Sequence, residues 1–437
     1  MLRRDFIKSG TLLAGGAWAS PNQLFSSNEK IKLAVLGTGW WGTDILLASV
    51  LTNENYEVVA LCDVNSLALK NASGKVTESG RKAPQLFSSY EEMYKLPGLE
   101  AVVIATPTHW HALQFIAACN KGLHVFQEKP ISYDIREGQA MLKAHHEANN
   151  VVLVDFPRMM VDTNSKVKQL IESGEAGKIF QVQANINSPE GALVEKPVPA
   201  TFNYETFCGP APKIKYLCNE GNETPSWRQQ HDFSRGVMAD WGIHYLHNIR
   251  QVMGLGLPDN VSATGGTTRN FSSDNPDHLD VRYDFGGLPV NWSHKAWGYT
   301  SPVPEWNIGV FYYGDKATIF AGDLGCEIYY SDGTKKTYGE IRFDPGSTKN
   351  DIVYKKMISD MFNQFADGIR SKSNAGIINT FEEAQRTTSC VIYGDMAFRT
   401  NAHLVIDKNS MDIKNNKDAQ ALLKREYRAP YQHPYKS

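Results

Sequence analysis

The sequence predicts an α/β protein whose first domain is a doubly wound parallel sheet, and three observations carry that prediction. An apolar run, Ile31-Lys32-Leu33-Ala34-Val35-Leu36, ends abruptly on Gly37-Thr38-Gly39-Trp40-Trp41-Gly42. From there to Val154 short apolar runs alternate with segments of helical period, the rhythm of a parallel sheet covered by helices on both faces. The chain has 437 residues, more than one domain of roughly 100–200 residues accommodates. Hydrophobic residues make up 42% and charged residues 21%, enough for sizeable cores and inconsistent with wholesale disorder. Lys plus Arg, 45, nearly balances Asp plus Glu, 47, which argues against nucleic acid or a polybasic membrane contact. No apolar run approaches the ~20 residues that span a bilayer. Six cysteines without a CxxC pair give neither a disulfide scaffold nor a zinc site, and no metal is expected.

Residues 1–29 read as an address followed by an arm. Arg3-Arg4-Asp5-Phe6-Ile7-Lys8, a mildly apolar stretch over 9–19 and Ala17-Trp18-Ala19 fall in the order of an export leader. The paired arginines resemble a twin-arginine (Tat) signal. The expectation is a periplasmic protein, cleaved near Ala19 and not inserted in the membrane afterwards. An oxidising compartment permits disulfides. Cys208 and Cys218 are the one close pair, and spacing alone does not establish a bridge between them. Cys62, Cys119 and Cys390 sit in apolar patterns and read as core.

Residues 30–154 read as a dinucleotide-binding domain. In a strand–turn–helix GxGxxG, one glycine allows the tight bend, one lets backbone N–H groups approach a pyrophosphate, and one lets helix and strand pack closely. The helix start adds its positive dipole end to that anion site. A second strand, Val58-Val59-Ala60-Leu61-Cys62, ends at Asp63, 21 residues beyond Gly42. An acidic residue there accepts from ribose hydroxyls and repels a 2′-phosphate. No Arg or Lys follows until Lys70, so NAD is preferred over NADP. Further strands end at Thr106-Pro107-Thr108-His109-Trp110-His111 and at Gln127-Glu128-Lys129-Pro130, and a last one is Val151-Val152-Leu153-Val154. Ligands of such sheets lie beyond the carboxyl ends of the strands, where all these residues fall.

Taken jointly, GTGWWG, Asp63, TPTHWH and EKP resemble the Gfo/Idh/MocA family, the group of glucose–fructose oxidoreductase and inositol 2-dehydrogenase. The resemblance continues through residues 171–179, IESGEAGKI, through Met238-Ala239-Asp240-Trp241-Gly242-Ile243-His244, and through a final helix over 381–399. It implies a second α/β domain over 155–400 whose open, mostly antiparallel sheet packs against another subunit of a homo-oligomer. It also implies NAD held by Gly37, Thr38, Gly39, Trp40, Trp41, Gly42, Asp63, Thr106, Pro107, His111, Glu128 and Lys129. The Tyr- and Trp-rich stretch 292–313 reads as sheet, and residues 401–437, with polar 427–435, as a docking arm.

Oxidising a secondary alcohol with NAD requires a hydride acceptor and a base that takes the hydroxyl proton. A base neutral near pH 7 suits histidine, with an unperturbed pKa of ~6.5. Asp240 and His244 are four apart, and a helix over 237–252 would put them on one face, although most such pairs are surface contacts. The resemblance implies that His244 takes the proton, that Asp240 orients the site, and that Lys129 donates to the substrate oxygen. In the family the Lys–Pro peptide is frequently cis. Arginine donates to hydroxyls and a tryptophan face stacks on sugar C–H groups, so Arg158, Trp227 and Arg228 are expected, with His244, to hold substrate. His247, in the same helix, reads as packing.

Export sharpens these expectations, because a periplasm is not expected to supply free NAD. At Kd ~1 nM and an on-rate of ~10⁶ M⁻¹s⁻¹ a cofactor is lost within about twenty minutes, so retention needs tighter binding or a cover such as the 20–30 arm. A trapped cofactor must be recycled in place. The expected activity is thus exchange between a sugar or glycoside hydroxyl, at carbon 3 of a pyranoside, and a carbonyl acceptor. Two alternatives stand beside it: an NAD-dependent glycoside hydrolase working by transient oxidation and elimination, and a non-catalytic sugar- or nucleotide-binding protein on the same fold.

Overall fold

Strand-length apolar segments that end on glycine or polar turns are buried on both faces, and five of them, with one short exposed edge strand, build the first sheet. These are β1 (Ile31–Leu36), β2 (Tyr56–Cys62), β3 (Gln85–Phe87), β4 (Ala101–Ile104), β5 (His124–Gln127) and β6 (Val152–Val154). In the computed structural model, which describes residues 29–268, 273–298, 308–340 and 348–436, all six are parallel in the order β3-β2-β1-β4-β5-β6. The order reverses between β1 and β4, which opens a crevice at their carboxyl ends. Between the strands run α1 (Ala48–Leu51), α2 (Ser66–Glu78), α3 (Tyr90–Met93), α4 (Thr108–Asn120) and α5 (Ile135–Ala148). Side chains alternate along each strand, so Ala34, Leu36, Val102 and Ile104 enter one core and Leu33, Val35 and Val103 the other.

Beyond α6 (Asp162–Glu172) the chain forms β7 (Ile179–Asn187), then a ribbon of β8 (Leu193–Glu195) and β9 (Leu217–Asn219) that brackets α7 (Tyr204–Cys208). After α8 (Ile243–Met253) come β10 (Asn260–Gly266), β11 (His278–Phe285), β12 (Leu288–Lys295), β13 (Ile308–Gly314), β14 (Ala317–Ala321), β15 (Leu324–Tyr330) and β16 (Lys335–Glu340). The chain ends with α9 (Thr348–Ser371), α10 (Phe381–Thr400), β17 (Leu404–Val405) and α11 (Lys417–Ala421). The second sheet has nine strands, β16-β15-β14-β13-β7-β12-β11-β10-β17. Only β7 and β12 pair in parallel, so the sheet is mixed and mostly antiparallel. Strand β11 shows why it is open: Leu279, Val281 and Tyr283 are buried, and Asp280 and Arg282 on the other face are exposed.

Helix α9 packs back across the expected division at 154/155. Its Ile358, Met361, Phe362, Phe365 and Ile369 are buried in the same core as Leu33, Val35 and Phe126 of the first sheet. Phe362 stacks on Phe126 with ring centroids 4.4 Å apart, and its carbonyl accepts from the Tyr56 hydroxyl at 2.6 Å. Spacing of three and four residues makes a stripe on one helix face, and a buried side chain of this size contributes roughly 1.5–3 kcal/mol, so α9 covers a sheet distant in sequence.

The C-terminal arm lies against α4, α5 and α7. Arg425 donates to Glu137 at 3.1 Å and to the His109 carbonyl at 2.9 Å, and Arg428 to the Gly209 carbonyl at 3.1 Å. Cys208 and Cys218 are separate buried thiols, as are the other four cysteines. Residues 1–28, with the leader and most of the arm expected before β1, lie outside the described residues, as do 299–307 within the expected sheet stretch. Among the described residues no helix is long and apolar enough to cross a membrane.

Candidate active site

Each glycine of the first turn has a distinct physical task. Gly37 has φ of +93°, and a Cβ on it would stand 2.7 Å from the Ala105 backbone. A Cβ on Gly42 would stand 2.0 Å from the Gly37 carbonyl oxygen, so this position brings helix and turn together. Gly39 is different: nothing lies within 4 Å of where its Cβ would be. That open backbone is what a pyrophosphate needs to approach. The helix that follows begins as a π-type turn, Trp41–Leu47, a widened register found often at functional sites. Asp63 closes the far side. One oxygen accepts from Thr38 N at 2.6 Å and Thr38 Oγ1 at 3.0 Å, the other from Asn65 N at 2.8 Å. Burial raises the Asp63 pKa against those three donors. The turn, the open Gly39 and the acid at the end of β2 fit a dinucleotide.

At the end of β5, Lys129 precedes a cis peptide to Pro130. Its Nζ donates to the Asp240 backbone carbonyl at 2.7 Å and to Asp240 Oδ1 at 3.1 Å. Asp240 sits in a second π-type turn, Met238–Gly242, and α8 begins only at Ile243. The single α-helix expected over 237–252 is therefore two registers. Arg228 Nε donates to the same Oδ1 at 3.0 Å. Burial would raise the Asp240 carboxyl, but the Lys129 and Arg228 charges outweigh it and hold the group well below the usual carboxylate range. His244 is buried against the edge of Phe156, and its Nδ1 has no partner. Burial, then the charges of Lys129 and Arg158, hold its pKa well below 6.5. Near pH 7 this imidazole is neutral and lies within the field of the Lys129 ammonium group.

The sequence profile described as "Oxidoreductase family, NAD-binding Rossmann fold" matches residues 31–156, and that of the "GFO/IDH/MocA C-terminal domain" matches 164–320. The chain belongs to the Gfo/Idh/MocA oxidoreductase family. It is 27% identical over 191 residues to a glycosyl hydrolase family 109 protein of Stenotrophomonas maltophilia, a match spanning 42% of each chain. It is 26% identical over 195 residues to inositol 2-dehydrogenase of Salmonella typhimurium, across 44% of this chain and 56% of that one. These matches thus span about half the length of either relative. A levoglucosan dehydrogenase solved with NADH and levoglucosan superposes with a TM-score of 0.65 at 18% identity, over 86% of this chain and 99% of that one, and shares the fold.

Other residues singled out from the sequence of this family member take different places. His111 was expected at the cofactor, yet its ring nitrogens contact the carbonyls of Pro130 and Thr106, each at 2.7 Å. Buried carbonyls need donors; burial holds the His111 ring neutral, so it donates to one of these carbonyls while packed between the loop after β4 and the loop that carries Lys129. Thr106 Oγ1 donates to Gln114 at 2.5 Å, and Pro107 is the cap residue of α4. Trp40 is exposed, while Trp41 turns inward and its indole N–H meets Glu128. Arg158 was expected to hold substrate, but it is buried and pairs with Asp323 through Nε at 2.8 Å and a second nitrogen at 2.9 Å. One face of the partly buried Trp227 is covered by the Arg228 guanidinium, 4.4 Å over its ring. Arg228 is half-exposed and remains at the mouth. His247 stacks on Phe156 at 3.9 Å, which is packing.

Several groups escaped the sequence reading. Asp155, at the end of β6, carries the same signal that picks out Asp63, an acid closing an apolar strand. Glu190 follows β7, its Oε2 is buried without a partner, and burial with the Asp277 charge pushes its pKa up to about 7. Asp134, Glu137 and His433 have ligand atoms within 4.8 Å of one another. Their oxygens already accept from Arg425, Tyr427, Tyr133 and Glu137 backbone or side-chain donors, so the cluster anchors the arm.

Proposed function

We propose that this oxidoreductase is exported with NAD already bound and oxidises a secondary hydroxyl of a sugar or glycoside, at carbon 3 of a pyranoside, with a carbonyl compound as the second substrate. The observation that carries the reading is the way Lys129 is held. An ammonium group has three donors; the carbonyl and carboxylate of Asp240 take two, at 2.7 and 3.1 Å. The third is left for the substrate oxygen, where a charge-assisted bond favours the developing alkoxide, an effect often worth ~3 kcal/mol. With Nδ1 of His244 sealed in the core, Nε2 is the nitrogen left to take the hydroxyl proton. Arg228, fixed to Asp240, presents its remaining donors to neighbouring hydroxyls. When bound, NAD supplies the ring that accepts the hydride. Lys129 sits on the dinucleotide sheet and His244 on the second domain, so both reach one carbinol carbon only in the crevice between them.

A second reading draws on Glu190 and on the family 109 relative. A carboxyl with a pKa of about 7 is poised to give a proton to a leaving group, as elimination of an aglycone requires. One experiment tests both. Holoprotein is incubated with a panel of glycosides while the absorbance of reduced nicotinamide, ketosugar and free aglycone are followed. Reduction with ketosugar supports the dehydrogenase, aglycone release without net reduction supports the hydrolase, and no turnover of any sugar overturns both.

A further inference from the structure

Two buried titratable groups left unused by this reading are Glu128 and Asp155. They cap neighbouring strands, where Gln127 pairs with Val154 and the Asp155 N–H donates to the Gln127 carbonyl at 2.9 Å, and the two carboxyls interact. Glu128 receives the Trp41 indole N–H from the glycine turn and the Lys129 backbone N–H at 3.0 Å. Asp155 is 1% exposed, its oxygens complete no hydrogen bond of full geometry, and the Trp41 indole N–H that meets Glu128 also lowers its proton affinity. Two carboxylates so placed repel, whereas one proton between them supplies the missing hydrogen bond. Burial raises the proton affinity of both, and the Asp155 charge raises Glu128 further. The other charged or titratable groups facing the pair are Lys129, Arg158, Tyr354 and His111.

Counting charge across the crevice shows what the pair can do. With Glu190 protonated, Lys129 and Arg228 share the single carboxylate of Asp240, one positive charge in excess, while Arg158 and Asp323 cancel. A pair holding one proton carries one negative charge and balances the crevice. An oxidised nicotinamide ring adds a positive charge, and a reduced ring adds none. We propose that Glu128 and Asp155 share one proton when the crevice is empty or holds the reduced ring, and release it to water when the oxidised ring is bound. No electron moves in this step; one O–H bond is broken, and the second carboxylate balances the cationic ring. The inference rests on the proposed function in placing that ring beside Lys129.

Linkage sets the size of the effect. If one proton leaves per oxidised dinucleotide bound, affinity for NAD⁺ rises by roughly tenfold per pH unit below the pair's ionisation, while affinity for NADH does not. The pyrophosphate is common to both forms and cancels in the comparison. The test is calorimetric titration of the full chain, freed of any dinucleotide it carries, with NAD⁺ and with NADH between about pH 5.5 and 8.5. If the cofactor does not come off, the same difference appears as an extra ~30 mV per pH unit in the midpoint potential of the bound two-electron couple. The expected result is a steeper pH dependence for NAD⁺ than for NADH in wild type, and equal slopes in Asp155→Asn. Equal slopes in wild type overturn the proposal whether or not the variant folds, and unequal slopes persisting in a folded Asp155→Asn overturn it too. Binding of neither dinucleotide would defeat the proposed function as well.

Discussion

Gly39→Ala and Gly42→Ala separate a glycine kept for a ligand from one kept for the fold. At Gly39 the added Cβ meets nothing within 4 Å, and the residue is not among those with positive φ. The folded chain therefore accepts alanine without strain, and the loss of unfolded-state freedom stabilises it by about 0.4–1 kcal/mol. The same methyl occupies the space through which backbone N–H groups reach a pyrophosphate. Overpacking of that kind costs about 1–3 kcal/mol, equivalent to a roughly 5- to 150-fold weaker Kd for NAD. At Gly42 the Cβ would lie 2.0 Å from the Gly37 carbonyl oxygen, a backbone atom that moves only with the turn. The helix start must shift by an ångström or more, so stability and affinity fall together. Denaturant midpoints of dinucleotide-free protein and NAD titrations provide the two readouts. If Gly39→Ala binds NAD like wild type, or loses more than about 1 kcal/mol of stability, the assignment of that open backbone to a pyrophosphate is refuted.

Four further outcomes follow from the same geometry. Lys129→Met should lower kcat by about 10²–10³ while NAD binding persists, since it removes a donor aimed at developing charge; an unchanged kcat would remove lysine from the reaction. His244 is held well below 6.5, so wild-type kcat/KM should show no acid limb between about pH 6 and 7, and a limb near 6.5 would show that the base titrates freely. Arg158→Met leaves Asp323 buried without its partner and should cost about 3–5 kcal/mol, with Arg158→Met/Asp323→Leu recovering much of it; melting temperatures of the three proteins decide. Glu190 is raised to about 7, so folding keeps a proton that the unfolded chain releases near 4.5, and ionisation costs stability as pH rises from there through 7. Glu190→Gln should therefore gain on wild type between about pH 5 and 8, and an equal difference at both ends would contradict the shift.

What was legible in the sequence lies at strand ends. The turn after β1, Asp63 after β2 and Lys129 after β5 each combine a buried apolar run with an abrupt polar stop, a local pattern a linear reading can see. Asp155 carries that pattern too, but its meaning depends on Glu128, and only the pairing of β5 with β6 makes them neighbours. Arg158 and Asp323 stand 165 positions apart, and nothing local marks either as the other's partner. The same holds for α9, whose stripe announces a buried face without saying which sheet it covers. The register of the Asp240 turn was illegible for another reason. Periodicity distinguishes helix from strand, but not a π-type turn from an α-helical one over five residues.

The site is consequently a property of the closed chain rather than of the dinucleotide domain. The first sheet fixes the glycine turn and the root of Lys129, but the direction of the ammonium group is set by Asp240 on the second domain, through two contacts. Remove that carboxylate and the mostly buried cation keeps only the Asp240 carbonyl; burial still holds His244 neutral, and the Lys129 contribution to that shift would change with its position. Asp240 in turn is fixed by Arg228 from the ribbon segment. Holding these pieces together falls to elements with no chemistry of their own. Helix α9 returns across the division to cover the first sheet, and Arg425 binds Glu137 and the His109 carbonyl with a single side chain. Their burial holds the two domains in place, so the arrangement of Lys129 and Asp240 depends on packing that lies outside the crevice.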